Sequence, residues 1–248
     1  MNKTTILATA AIIFFSTITL ARAEVLLDEN FDKYAPAATP SAATIVAPKR
    51  PVDGLSVTVV SAAGGKAVRI LDNDATKGTS LEYNLASTPA GLKTAVKVSF
   101  DLVRQAEGPD KSALIFGVGD LGEAKTELSS GAKRHIAVSF YADGRMRVVS
   151  GALAKSKTLS LGAVGARNQI ALYLNEGASP VKTTGPDGKP LTIQPASVVA
   201  CLDGKQIYNG KVDKFGGAEK QIGRVGFITN SNVTGIDFTV DNLKAESL

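Results

Sequence analysis

The sequence predicts an all-β protein, a two-sheet antiparallel jelly-roll sandwich, and three observations predict it. Short alternations of apolar and polar residues recur along the chain, as in Thr94, Val96, Val98, Phe100 and Leu102 set against Ala95, Lys97, Ser99 and Asp101. A period of two leaves one strand face dry and the other wet. Gly-containing turns separate the runs: Ala63-Gly64-Gly65-Lys66, Ala142-Asp143-Gly144 and Leu202-Asp203-Gly204-Lys205. Asp-Gly between apolar runs marks a hairpin, because both residues tolerate positive φ. Finally, no segment sustains helical periodicity, and only Glu123–Lys133 has the composition for one short helical turn. Many short strands with such turns pack as two antiparallel sheets.

In chain order, the first predicted strand is Val25–Phe31. The Ala- and Pro-rich stretch from Tyr34 to Gly54 follows as a long surface loop. Val57–Ser61 and Ala67–Asp72 flank the Gly64-Gly65 turn, and Ser80–Leu85, Lys93–Arg104 and Ser112–Val118 continue the pattern. His135–Tyr141 and Arg145–Ser150 are joined by Asp143-Gly144. Gln169–Leu174 and Ser197–Leu202 would form a hairpin but for the irregular stretch Asn175–Pro195, which holds four prolines and a Pro-Asp-Gly turn. Gln206–Tyr208, Arg224–Thr229 and Ile236–Lys244 complete the set.

The first residues predict export. Lys3 precedes an apolar run from Ile6 to Leu20 that ends in Ala21-Arg22-Ala23, a small-x-small cleavage pattern. The run is short for a membrane span and no stop-transfer charge follows it. The expectation is a signal peptide over 1–23, one β-sandwich domain over 24–248, and a secreted or periplasmic product with no membrane span in the remaining chain. Removing Lys3 and Arg22 with the leader takes the formal charge from +5 to +3. The basic residues are dispersed, and so mild an excess argues against nucleic acid as a partner. The lone Cys201 cannot form an intrachain disulfide and reads as a buried strand residue.

Three segments carry a family resemblance. The chain after the leader opens Leu27-Asp28-Glu29-Asn30-Phe31-Asp32-Lys33-Tyr34 and closes Phe238-Thr239-Val240-Asp241-Asn242-Leu243-Lys244, with Gly226-Phe227-Ile228-Thr229-Asn230 shortly before. Between them lies Val198-Val199-Ala200-Cys201-Leu202-Asp203-Gly204-Lys205-Gln206-Ile207. Together these resemble the concanavalin A-like, laminin-G-like jelly rolls of secreted bacterial proteins. The resemblance implies that the opening strand lies beside the closing one. It also implies a structural calcium ion clipping first strand to last, with Glu29, Asp32 and Asp241 in the matching segments, since carboxylates supply the hard oxygens calcium needs. Lectins, binding modules, hydrolases and lyases share this architecture, so it does not choose a function.

Catalytic signatures are sparse. No Glu-x-Asp-x-Glu run puts alternate carboxylates on one strand face; Asp237 and Asp241 lie four apart with Thr239 between them. No Gly-x-Ser-x-Gly elbow or Cys-x-x-Cys pair occurs, and one histidine cannot make a His-rich zinc site. Gly117-x-Gly119-x-x-Gly122 matches a dinucleotide spacing without the strand–helix context that the motif requires. Alternation instead groups polar residues. His135 and Tyr141 fall on the wet side of one strand, Arg145 and Arg147 on the next, and Tyr173 on the polar side of its own. These five are the candidate ligand-binding residues, with tyrosines to contact sugar faces and arginines to donate hydrogen bonds. The partner they suggest is a polysaccharide or cell-surface glycan, bound without catalysis or cofactor beyond the calcium ion. A polysaccharide hydrolase or lyase with a degenerate motif, and a structural envelope or matrix protein, stay open as alternatives.

Overall fold

The computed structural model describes residues 23–88, 91–121, 128, 134–150, 154–155, 158–212 and 221–248. The predicted leader, and all of Glu123–Lys133 except Leu128, lie outside them. Two antiparallel sheets form a sandwich. The first contains β1 (Val25–Glu29), β3 (Leu55–Ala62), β4 (Gly65–Asp72), β6 (Ala95–Arg104), β12 (Arg167–Asn175), β15 (Ser197–Leu202), β16 (Lys205–Lys211) and β18 (Ile236–Ser247). Its order is β16-β15-β12-β6-β18-β4-β3, with β1 also paired to β18. The second contains β2 (Ile45–Ala47), β5 (Ser80–Asn84), β7 (Ala113–Gly119), β8 (Arg134–Tyr141), β9 (Arg145–Ser150), β10 (Ala154–Lys155), β11 (Leu159–Ser160) and β17 (Arg224–Ile228). Its order is β10-β9-β8-β7-β17-β5-β2, with β11 also on β9. A separate hairpin joins β13 (Val181–Thr184) to β14 (Pro190–Ile193).

The inward residues of both sheets meet in one core. Phe100 of β6 stands at its centre, with ring centroids 4.9, 5.9 and 5.0 Å from Phe116, Phe140 and Phe227 of the opposite sheet. Tilted and edge-on aromatic contacts of this kind add to simple area burial. Ile136, Val138 and Phe140 point inward from β8, as their alternation predicts.

Two predicted loops contain strands. The Tyr34–Gly54 loop holds β2, which pairs with β5 at the edge of the second sheet. The Asn175–Pro195 stretch becomes the β13–β14 hairpin, while β12 and β15 pair as predicted from Asn175↔Ser197 to Ile170↔Leu202. The first strand ends at Glu29, two residues before its predicted end. Phe31 takes φ 62°, turning the chain so that its ring enters the core. Gly117 and Gly119 lie inside β7 rather than in a strand–helix turn.

Strand β18 sets the geometry of the functional face. Its first half pairs with β4 (Ile236↔Asp72 to Val240↔Val68), and its second half with β1 (Leu243↔Glu29 to Glu246↔Val25). The closing strand therefore does lie beside the opening one. On its other edge β6 follows both halves, through a bulge between Asp241 and Lys244. Asn242 sits in the bulge at φ 51°, a left-handed conformation that Asn tolerates better than most residues. A notch opens where one neighbour hands over to the other.

Candidate functional site

The notch is one end of a polar trough on the outer face of the first sheet. Asn30 and Asp32 reach it from the chain leaving β1, Gly64 and Gly65 from the β3–β4 turn, Asp101 from β6, Arg167 from β12, and Asp241 and Asn242 from the bulge. This end encloses about 310 Å³. An adjoining hollow of about 550 Å³ is lined by Arg69, Gln105, Asp237 and Thr239. The two share Ala62, Ala63, Val103, Gly165 and Thr239, so they form one continuous depression. Each compartment is in the size range of small-molecule sites. No aromatic residue lines either one among the described residues.

Strand register builds the polar floor. Asp101 and Asp241 are direct cross-strand partners, an arrangement that brings side chains on one face close together. Arg167 Nη2 donates to Asp101 Oδ2 at 2.6 Å, and Asn242 Nδ2 donates to the same oxygen at 2.7 Å. The left-handed turn at Asn242 also brings its own N–H to Asp241 Oδ1 at 2.7 Å. Asp32 accepts the Lys66 N–H at 2.9 Å, and the Lys66 ammonium binds the carbonyls of Asp32 and Tyr34 at 2.8 and 2.6 Å. A Cβ at Gly65 would stand 2.6 Å from Asp32 Oδ1 and displace that carboxylate. In the adjoining hollow Arg69 clamps Asp237 through Nε and Nη2 at 2.8 and 2.7 Å.

The electrostatics follow this geometry. Hydrogen bonding to Asp101 raises the Arg167 pKa, and hydrogen bonding to Asp237 raises that of Arg69. Burial raises the Asp241 carboxyl from its ordinary value; its Asn242 N–H bond and the Arg167 charge oppose this, while the charges of Asp101 and Asp32 reinforce it.

The five predicted ligand-binding residues do not share one face, which corrects the grouping drawn from alternation. Tyr173 belongs to the first sheet and is 1% exposed. The β13–β14 hairpin covers it, packing Ile193, Val181 and Leu191 over Ala171, Tyr173, Val199 and Cys201. The other four lie on the second sheet. His135 is 3% exposed, with Nδ1 2.5 Å from Glu176 Oε1 and Nε2 3.1 Å from Asp120. Tyr141 and Arg145 are half-buried at the surface, the guanidinium 4.9 Å from the ring centroid and its Nε 2.5 Å from Asp143. Arg147 lies across from Ser139 in the β8–β9 register.

The calcium set is likewise divided. Asp32 and Asp241 line the notch, but the Glu29 carboxylate turns inward to the Phe31 N–H and the Tyr34 hydroxyl at 3.1 and 2.8 Å. Glu29 cannot reach the other two from there, and Asp101 takes its place as third carboxylate. Asp101 already accepts from Arg167 and Asn242. Among the described residues no group of three or more His, Cys, Asp or Glu side chains is arranged to hold a metal ion. The residues present do not fit the clipping ion.

Sequence reasoning missed Asn30, Arg167 and Asn242 as site residues and treated Asp101 only as a wet-face residue. Asp241-Asn242 was the usable signal: a strand interior rarely tolerates Asn, and a bulge explains it.

No family model and no curated protein sequence matches the chain. Its fold is similar to solved carbohydrate-related proteins. A region of a sialidase superposes with a TM-score of 0.60 at 16% identity, covering 89% of this chain and 18% of the sialidase. A carbohydrate esterase from the Shiga toxin-encoding bacteriophage phi24B gives 0.55 at 14% identity, covering 91% and 99%. Domain 4 of AbnA, a GH43 extracellular arabinanase from Geobacillus stearothermophilus solved in complex with arabinotriose, gives 0.51 at 12% identity, covering 92% and 94%. At these identities the likeness is one of fold. The chain spans less than a fifth of the sialidase's length.

Proposed function

We propose that this chain is an exported, non-catalytic carbohydrate-binding module of the concanavalin/laminin-G type, and that it holds its glycan in the trough on the first sheet. The observation that carries this reading is the trough itself: two adjoining compartments that interleave carboxylates, carboxamides and guanidinium groups. Sugar hydroxyls both donate and accept, so a mixed lining of this kind can fix a ring's orientation. Similarity in fold to a domain solved with arabinotriose supports the choice of ligand class without naming the sugar. Export rests on the leader pattern, and sequencing the processed protein is expected to find Glu24 at its start.

The test is a glycan-array screen of the exported protein, followed by calorimetry on its best ligand. Arg167→Ala combined with Asn242→Ala is expected to abolish binding, whereas Tyr141→Ala on the other sheet leaves it intact. Full binding by the double variant would remove the trough from consideration.

One observation favours a second reading, a polysaccharide hydrolase. Asp101 and Asp241 face each other across strands in unlike settings, one clamped by Arg167 and Asn242, the other pushed toward its protonated form. Unlike carboxyl pairs serve as acid and nucleophile in glycosidases. Release of reducing ends from a polysaccharide panel, lost in Asp241→Asn, would establish it in place of the non-catalytic reading.

A further inference from the structure

We infer that the glycan held in the trough is an amino-sugar chain with free, positively charged amino groups, and that Asp32 and Asp241 select it. This rests on the reading of the trough as a glycan site and deepens it. Each cationic group at the trough already has an anionic or carbonyl partner: Arg167 is bound to Asp101, Arg69 is clamped on Asp237, and the Lys66 ammonium is held by two backbone carbonyls. Asp32 and Asp241 face the same notch, and among the described side chains neither pairs with a cationic one. Their partners are amide N–H groups from Lys66, Asn30 and Asn242. The notch is therefore acidic on a chain whose formal charge is +5. A general attraction of the protein for polycations cannot account for such a preference; only the local pair can.

The missing aromatic platform points the same way. The described lining offers charge and hydrogen bonds rather than a stacking surface. A sugar ammonium between Asp32 and Asp241 would give these two carboxylates the cationic partner that Arg167, bound to Asp101, does not supply, while Asn30 and Asn242 take neighbouring hydroxyls. A uronate polymer would bring carboxylates against these two and meet repulsion, whereas an N-acetylated chain gains no ion pair.

The test uses the full exported protein and three probes of equal length: a glucosamine hexamer, an N-acetylglucosamine hexamer and an alginate hexamer. Calorimetry near neutral pH is expected to show the free amine bound at least about tenfold more tightly than its acetylated form, and alginate not at all. Raising the salt should erode that preference. Asp241→Asn and Asp32→Asn should each cut it severalfold and leave the acetylated hexamer unaffected, while Glu107→Gln, at an exposed acid outside the trough, changes nothing. Equal binding of free and acetylated chains would overturn this inference while sparing the carbohydrate reading. So would a preference that survives loss of both aspartates. Failure to bind these probes or any array glycan would overturn both.

Discussion

The outer faces of the two sheets carry ion pairs of the same chemistry in opposite circumstances. On the second sheet Arg224 and Glu82 are both fully buried, 3.1 Å apart, with Arg224 Nε also donating to Asn84 at 2.8 Å and Ser80 to Glu82 at 2.6 Å. On the first sheet Arg167 reaches Asp101 at 2.6 Å from a side chain that is 64% exposed. A sealed pair has lost its water and is costly to break, while an open pair contributes little to stability and can exchange partners. The pair on the second sheet is thus sealed, and the one on the first sheet lies open in the trough where we place the proposed glycan.

The contrast can be broken most forcefully at Glu82. Glu82→Ala takes a carboxylate away from a fully buried guanidinium and is expected to lower unfolding free energy by about 3–5 kcal/mol in denaturant melts. A loss under about 1 kcal/mol would mean that water reaches this face after all.

Tyr173→Ala probes the covered half of the first sheet and should cost about 3 kcal/mol, since it empties the space beneath the hairpin. Cys201, in the same cluster, has its thiol pushed up to about 11 by burial. It should resist thiol reagents in the native protein and become reactive in this variant. Reactivity in both would show that the hairpin does not seal the cluster.

On the second sheet, His135 ties stability to pH. Burial alone would lower its pKa, but Glu176 and Asp120 outweigh that and raise it above the ordinary 6.5. The folded state therefore binds the proton more tightly than the unfolded chain. The stabilisation is complete below the unfolded value and is lost as pH climbs through the raised folded value. Wild-type stability should fall over that window relative to His135→Ala, and parallel pH profiles would refute the link.

The smallest effect on stability belongs to the open face. The fold already disfavours the Asp241 charge, so Asp241→Asn should shift unfolding free energy by no more than about 0.5 kcal/mol at neutral pH. A variant that alters glycan preference without altering stability is the signature of a residue kept for binding.

Much of this was legible in the chain. Alternation marked β6, β8 and β12 and told which residues of each point inward; Asp-Gly placed the β8–β9 and β15–β16 turns; the opening and closing motifs brought β1 to β18. Alternation and turns are properties of neighbouring residues, which local chemistry settles; the β1–β18 pairing was implied only by the family resemblance of the two end motifs. Alternation could say that Tyr173 and His135 leave the central core, but not that they leave it from different sheets, nor that a hairpin covers one and Glu176 locks the other. Sheet membership depends on pairing between distant segments, which no local pattern encodes. The trough is the clearest case: it exists because β4 and β1 share one edge of β18, and only the folded chain sets Asp32, Asp101 and Asp241 around the gap between them.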